Sequence, residues 1–146
     1  MKKVTYLTES AKKFSREEAI AEAKRCLLCE EAYCNKKCPI NSNPKEFVEL
    51  VATEQFDKAI GLIRDNNPLF YSICTRVCPY DSYCVGGCRN SKLADDPIMI
   101  PFIQKYLVDY CDETDEIISS GNVEPKKVGQ KVAIIGSGPA GLAAAA

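Results

Sequence analysis

The sequence predicts an all-α domain that binds metal through cysteine thiolates, followed by the first β-α element of a second domain. Eight of the nine cysteines fall into two dense sets, and apolar residues recur at helical spacing through most of residues 15–110. A short apolar run and a GxGxxG spacing follow at 131–141. We therefore expect the all-α domain at 1–111, a linker at 112–130 and the truncated start of a dinucleotide-binding domain at 131–146.

The first expected helix begins at a capping box, which is formed by Ser15 and by Glu18 three residues later. Its apolar spacing continues as far as Leu27. On that pattern the helix extends into the first cysteine set. It would therefore present Cys26 and Cys29 on one face near its end.

Three further helices are expected before residue 112. Asn43 followed by Pro44 favours a second helix start, because proline suits the first helical position. A third helix is predicted from the apolar spacing over 56–63. The last is expected to begin near Pro97 or Pro101. Its apolar side contains Phe102, Ile103, Tyr106, Leu107 and Tyr110.

The remaining composition excludes several kinds of chemistry. The chain has no histidine, which removes an imidazole base, a cysteine-histidine nucleophile and any zinc finger that needs two histidines. The 19 Lys and Arg residues nearly balance the 20 Asp and Glu residues, so neither nucleic acid nor a membrane is expected as a partner. The sequence shows neither an export signal nor a membrane-length apolar segment. We expect a cytoplasmic protein, in which cysteine-rich patterns form metal sites more often than disulfides.

The spacing of the two cysteine sets indicates two interlocked iron-sulfur clusters. The sets have the patterns CxxCxxxxCxxxCP and CxxxCPxxxxCxxxC, so each contains a cysteine directly before proline. In two-cluster ferredoxins that cysteine ligates the other cluster. By this rule one ligand is still missing after seven thiolates are placed. The first cluster receives Cys26, Cys29, Cys34 and Cys88, and the second receives Cys38, Cys78 and Cys84.

Basic residues lie near both sets in the sequence. A cluster with thiolate ligands is net negative, so nearby cations would suit it, although a solvated surface of mixed charge has the same composition. The cations are Lys24, Arg25, Lys36 and Lys37 near the first set, and Arg76, Arg89 and Lys92 near the second.

A protein of another class remains an alternative at this point. Two zinc ions, each with four thiolates, could hold together a small helical module that binds a partner. The Cys-Pro pairs and the neighbouring nucleotide-binding pattern favour iron-sulfur clusters over such a module.

The glycine-rich end has the spacing of a dinucleotide-binding turn. A short apolar strand is predicted before Gly136, and an alanine-rich helix is predicted after Gly138. In such turns the first glycine allows the tight bend, and the second allows a pyrophosphate to approach the backbone. The third, here Gly141, allows the helix to pack on the strand. One strand and part of a helix do not complete a nucleotide-binding domain, so we expect the front of a longer protein.

Four segments together resemble one protein family. CLLCEEAYCNKKCP, ICTRVCPYDSYCVGGC, DPIMIPFIQ and VAIIGSGPAGL closely resemble the N-terminal region of dihydropyrimidine dehydrogenase and of the NADPH-dependent glutamate synthase small subunit. The resemblance implies an α-helical ferredoxin-like domain with two [4Fe-4S] clusters, ahead of an FAD domain with a Rossmann-type fold and an NAD(P)H domain. In that family electrons pass from the nicotinamide to FAD and onward through clusters to a flavin site in a partner domain or subunit.

The resemblance also implies an eighth ligand. It supports the same seven cysteines and adds Gln104, because dihydropyrimidine dehydrogenase has a glutamine after its PIxI stretch, where glutamate synthase small subunits tend to have glutamate. The chain departs from the family at Pro101, where glycine is common. Counting cysteines alone favours Cys74 as the missing ligand instead. Cys111, outside both sets, is expected to be a small buried hydrophobic residue.

The implied function is electron relay in an NAD(P)H-dependent FAD oxidoreductase subunit. Gly136, Gly138 and Gly141 would bind FAD in the complete domain, and a flavoprotein subunit or domain would be the partner. We identify no catalytic residue and no substrate site in this part of the protein. Gln104 favours the pyrimidine branch over glutamate synthesis.

Overall fold

The computed structural model describes residues 13–66, 71–114, 129 and 131–145. These residues form eight α-helices and one 3₁₀ turn and contain no β-strand, which agrees with the all-α prediction. The helices are α1 (Arg16–Lys24), α2 (Tyr33–Lys37), α3 (Pro44–Ala52), α4 (Phe56–Asn66), α5 (Tyr71–Val77), α6 (Arg89–Ala94), α7 (Ile100–Thr114) and α8 (Pro139–Ala145), with the 3₁₀ turn at Tyr80–Ser82 between α5 and α6.

Helix α1 begins at the predicted capping box. The hydroxyl oxygen of Ser15 accepts the backbone N–H of Glu18 at 3.2 Å, and the Glu18 carboxylate accepts the backbone N–H of Ser15 at 2.8 Å. Two of the backbone N–H groups at the start of the helix are thereby satisfied. The sequence prediction for this helix start is confirmed.

The predicted end of α1 is wrong. The helix stops at Lys24, so Cys26 and Cys29 lie in the loop after it and do not share a helix face. Between them Leu28 has a φ of 47°, a left-handed value that a right-handed helix cannot contain. The irregular loop frees both thiols from helical spacing, so each can face the same cavity from its own direction.

The hydrophobic core lies between α1, α3, α4 and α7, which pack against one another. The apolar side predicted for the last helix faces this core: Ile103, Tyr106 and Leu107 are buried, and Phe102 and Tyr110 pack against them from the edge. The other core side chains come mainly from the three remaining helices. They are Phe14, Ala19, Ala23, Phe47, Val48, Val51, Phe56, Ala59, Ile60, Ile63, Ile98, Ile100 and Cys111.

The short elements were not predicted. Helices α2, α5 and α6 contain five, seven and six residues, and the 3₁₀ turn contains three. A periodic pattern needs more than two turns to be visible, and isolated helices of this length are unstable in water. These elements lie within or beside the two cysteine sets, where tertiary packing stabilises them.

The C-terminal part supports only half of the predicted β-α element. Helix α8 follows Gly136 and Gly138 and contains Gly141, but residues 131–137 have no regular secondary structure. A strand needs a hydrogen-bonded neighbour, and the described residues provide none, so the strand stays a prediction. Helix α7 continues to Thr114, past the expected start of the linker, and the linker beyond it, apart from Gly129, lies outside the described residues. Among the described helices, none is long and apolar enough to cross a membrane.

Candidate metal centres

Four thiols line one cavity, here called the first cavity. Its cysteines are the four that the spacing rule assigned to one cluster: Cys26, Cys29, Cys34 and Cys88. Val48, Ile98 and Ile100 are among the other lining residues, and all three are buried. The first cavity is therefore a partly apolar pocket with four sulfur donors.

Four more thiols and one amide line a separate cavity, here called the second cavity. The predicted ligands Cys38, Cys78 and Cys84 lie there together with Gln104. The alternative ligand Cys74 lines the same cavity. All the predicted ligands thus lie in the cavity expected for them, and the second cavity has one donor more than was assigned to it.

The last thiol of each cysteine set lines the cavity whose other thiols come from the other set. Helix α2 moves the chain from Cys34 at the first cavity to Cys38 at the second, a rise of about 6 Å over four residues. In the second set the turn from Cys84 to Cys88 returns the chain to the first cavity. Only glycine fits within this turn, because a Cβ added at Gly86 would lie 2.1 Å from a backbone carbonyl oxygen.

The two cavities share a wall. Pro44 and Ile100 line both of them, and both residues are buried. They are the first residues of α3 and α7, so the ends of two core helices separate the two sets of sulfurs. Groups bound in the two cavities would therefore be close neighbours.

Hydrogen bonds reach sulfurs in both cavities. In the second, Cys38 Sγ accepts the backbone N–H of Ser42 at 3.4 Å and lies 3.1 Å from the Ser42 hydroxyl oxygen. In the first, Cys88 Sγ accepts the backbone N–H of Ile98 at 3.5 Å. Such donors stabilise thiolate charge and tune the potential of a bound cluster. Sequence reasoning missed Ser42, although its place four residues after Cys38 was a usable signal.

The thiols are partly buried. Burial, followed by the charges of neighbouring thiols, raises the pKa of Cys34 to about 11, of Cys74 to about 11 and of Cys84 to about 12. Several thiolates so close together need cations in place of their protons, and metal ions supply that charge. The donor chemistry of both cavities therefore fits a thiolate-bound metal cluster.

The charges around the two cavities differ. Lys45 and Arg89 line the first cavity, whereas no charged residue is found among the described residues that line the second. Arg89 follows Cys88, the member of the second set that lines the first cavity, and its guanidinium lies 5.1 Å from the ring centre of Tyr33 there. Two of the other predicted cations, Arg25 and Lys36, pair with carboxylates. Sequence reasoning missed Lys45, which no local pattern marked.

The amide of Gln104 is held in place at the second cavity. The side chain is only 6% exposed, and its Nε2 donates to the backbone carbonyl of Tyr71 at 2.9 Å. This bond fixes the amide plane through its nitrogen. The amide oxygen is the atom of this group that can bind a metal.

The spacing of the thiols bears on which metal they can hold. A zinc ion requires its thiolates at about 2.3 Å from one centre. Among the residues that the structure describes, no group of three or more His, Cys, Asp or Glu side chains is arranged to hold one metal ion. In a cluster, by contrast, the thiolates bind different iron atoms.

Cys111 lies apart from both cavities. It is 7% exposed within the hydrophobic core, where Arg64 Nη1 lies 3.6 Å from its sulfur and donates to it. This is the buried position expected from the sequence.

Two of the three glycines near the C-terminus are required by their backbone surroundings. Gly136 has a φ of 111°, which side-chain-bearing residues rarely adopt. A Cβ added at Gly141 would lie 2.0 Å from the carbonyl oxygen of Gly136, while one at Gly138 would meet open space. This turn leads into α8.

Comparison with known families gives one match over most of the chain. Residues 3–116 match the sequence model of the family described as dihydropyrimidine dehydrogenase domain II, 4Fe-4S cluster. That segment contains both cysteine sets, Gln104 and the helices that enclose the core.

Similar curated proteins include two kinds. The chain is 41% identical over 145 residues to the NAD-dependent dihydropyrimidine dehydrogenase subunit PreT of Escherichia coli K12, and 40% identical to that of Salmonella typhimurium; in both cases 99% of this chain is covered. It is 38% identical over 133 residues to the glutamate synthase [NADPH] small chain of E. coli K12, with 90% of this chain covered. The chain spans 34% of the two dehydrogenase subunits and 27% of the glutamate synthase chain.

Proposed function

Because this chain belongs to the dihydropyrimidine dehydrogenase domain II family of 4Fe-4S proteins, we propose that it is an electron-transfer domain holding two [4Fe-4S] clusters. One observation carries the proposal: the cysteines form two separate cavities, and each cysteine set supplies a thiol to both. Two cavities with a common wall suit the transfer of electrons between neighbouring clusters better than they suit two isolated structural ions.

We assign four ligands to each cluster. The first cluster is held by Cys26, Cys29, Cys34 and Cys88, and the second by Cys38, Cys78, Cys84 and Gln104. The charges of the linings support Gln104 over Cys74 at the second cluster. Three thiolates and a neutral amide carry one negative charge fewer than four thiolates, and the second cavity lacks the two cations that line the first.

Each side chain of the two sites has a physical task. The thiolates and the Gln104 oxygen would hold the irons, and the iron-sulfur group would supply one-electron redox chemistry. Apolar side chains such as Val48 and Ile98 exclude water from the sulfurs. The donors to Cys38 and Cys88 stabilise thiolate charge and so contribute to the redox potential.

In the whole protein we propose an NAD(P)H-dependent oxidoreductase subunit located in the cytoplasm. Residues 1–111 would be the iron-sulfur domain, 112–130 the linker and 131–146 the start of the FAD domain, with Gly136, Gly138 and Gly141 at the FAD pyrophosphate. The domain would relay electrons between this FAD and a flavin site in a partner subunit or domain. The two required glycine positions support the FAD assignment.

The reaction that we favour for the assembled enzyme is pyrimidine reduction or its reverse. The PreT relatives, which are dihydropyrimidine dehydrogenase subunits by name, cover 99% of the chain, and Gln104 fits that branch. Glutamate synthesis is the second candidate, because the chain also resembles a glutamate synthase small chain over 90% of its length.

Anaerobic purification of the whole protein tests the cluster assignment. We expect brown protein with about eight iron and eight acid-labile sulfide ions per chain. Colourless protein with about two zinc ions per chain would contradict the assignment and favour the structural zinc module.

Substrate-dependent oxidation of NADH or NADPH tests the reaction. The whole protein, assembled with its partner subunit, should oxidise the nicotinamide when a pyrimidine base is added. Oxidation that requires glutamine and 2-oxoglutarate, with no response to pyrimidine, would assign the protein to the glutamate branch instead.

A further inference from the structure

The second cavity contains more donors than one cluster can use. A [4Fe-4S] cluster has four irons, and each takes one ligand from the protein. The first cavity has four thiols, but the second has four thiols and the Gln104 amide. One of these five donors must be in excess.

Helix α5 contains one of the five donors and is hydrogen-bonded to another. It begins at Tyr71, whose carbonyl oxygen accepts the Gln104 amide, and it carries Cys74 three residues later, on the same side of the helix. Helix α5 also packs against α7, which carries Gln104. The amide and the Cys74 thiol therefore reach the second cavity from two helices in contact.

Cys74 also differs from Cys38 in its hydrogen bonds. The sulfur of Cys38 accepts the Ser42 N–H at 3.4 Å. Among the described residues no hydrogen bond reaches the sulfur of Cys74. It is a partly buried thiol that faces the cavity without the donor that Cys38 has.

We propose that Cys74 is a reserve ligand of the second cluster, which replaces Gln104 on the same iron when the amide is withdrawn or lost. The inference rests on the proposed function and deepens it. In the exchange the bond from iron to the Gln104 oxygen breaks and a bond from iron to the Cys74 sulfur forms. The thiol proton passes to solvent water, and no electron is transferred.

The charge of the lining explains why Gln104 is the resting ligand. Exchange adds one negative charge to the second site, and no charged residue lines this cavity among those described. The thiolate state is therefore unfavourable while the amide is in place. Cys74 becomes a ligand only when the alternative is an iron without a protein ligand.

Four forms of the whole protein test this inference: the native protein, Gln104→Ala, Cys74→Ser and the double variant, all purified anaerobically. Mild ferricyanide oxidation removes an iron that lacks a protein ligand and leaves a three-iron cluster, which EPR detects. We expect a three-iron signal from the double variant and none from the other three. In addition, iodoacetamide should alkylate Cys74 roughly tenfold more slowly in Gln104→Ala than in the native protein, since a metal-bound thiolate is not free to react.

A conservative variant serves as the matched control. Gln104→Glu keeps an oxygen donor, so alkylation of its Cys74 should proceed at the native rate. An equal three-iron signal in Gln104→Ala and the double variant, with unchanged alkylation of Cys74, would show that Cys74 is not a donor. A three-iron signal in Cys74→Ser alone would also overturn the inference, because Cys74 would then be the permanent ligand.

These outcomes are separate from failure of the proposed function, in which the native protein itself would contain no iron and no sulfide. If the double variant does not fold, the alkylation rates of the native protein, Gln104→Ala and Gln104→Glu still decide the question.

Discussion

The first and second cavities differ in the charge of their donors and of their linings. Four thiols face Lys45 and Arg89 in the first, whereas the second combines thiols with a neutral amide and has no charged residue in its described lining. Burying thiolate charge is costly unless cations lie nearby. A neutral ligand at the second site would reduce the charge that must be buried, which would give the lack of cations in its described lining a physical reason.

The cavities are nevertheless parts of one structure. Pro44 and Ile100 form their common wall, and α2 and the turn at Gly86 each connect a thiol of one cavity to a thiol of the other. Substitution of a thiol should therefore remove iron from one site only. Substitution in a connecting segment should affect both sites.

Removal of single thiols should have the largest effect. Cys34 and Cys88 belong to different cysteine sets but line the same cavity. Cys34→Ala and Cys88→Ala should therefore both lose first-site iron, about four of eight ions per chain. Cys38→Ala and Cys84→Ala should lose second-site iron instead. The measurements are iron content and the EPR spectrum of the remaining cluster. Identical remaining spectra for Cys34→Ala and Cys38→Ala would contradict the interlocked assignment.

The turn that joins the cavities should be sensitive to one methyl group. Gly86→Ala places a Cβ 2.1 Å from a backbone oxygen, so we expect about 1–3 kcal/mol of destabilisation and loss of iron from both sites. Thermal unfolding and iron analysis measure this. In the matched control, Gly61→Ala in α4, the Cβ meets nothing within 4 Å, and about 0.5–1 kcal/mol of stabilisation is expected. Selective iron loss from one site in Gly86→Ala would show that the turn does not couple the cavities.

The charge difference can be tested at Lys45. Because a nearby cation stabilises the reduced, more negative state of a cluster, Lys45→Gln should lower the first-site potential by roughly tens of millivolts and leave the second unchanged. Spectroelectrochemical titration of each cluster provides the values. Lys58→Gln removes an exposed cation from α4 and should change neither potential. Equal shifts in redox potential at both sites would contradict the proposed difference in charge between the two cavities.

The smallest expected effect is at the second cavity. A thiolate can only accept a hydrogen bond, so the Ser42 hydroxyl would donate to Cys38 when that sulfur binds iron. Ser42→Ala removes this donor but keeps the backbone N–H, and it should lower the second-site potential by roughly 10–40 mV. The same titration applies, with Ser42→Thr as the variant that retains the hydroxyl. A shift at the first site alone would contradict the placement of Ser42.

Much of the fold followed from local patterns. The capping box at Ser15, the helix start at Pro44 and the apolar side of α7 were all predicted, because each depends on residues within a few positions of one another. The end of α1 was missed because the apolar spacing continues past Lys24. Leu28, in the loop between two thiols, has a left-handed backbone conformation, and this conformation has no sequence signature.

The candidate sites, like the fold, were predicted in part from local patterns. The cysteine spacing and the family resemblance identified the eight proposed ligands, and the cavities bring each group of four together. Lys45, Ser42 and the wall residue Ile100 were not identified. Their roles depend on which residues meet in space, and no spacing rule applies to Lys45 or Ile100.

The sequence by itself determined the chemistry of the donors and the helical class, because residue type and periodicity are properties of neighbouring positions. Only the tertiary structure decided that Pro44 and Ile100 separate the two cavities and that Lys45 and Arg89 line the first. It also placed Cys74 at the same cavity as Gln104. Such relations arise from the packing of helices far apart in the chain, which buries apolar surface and thereby sets the surroundings of each sulfur.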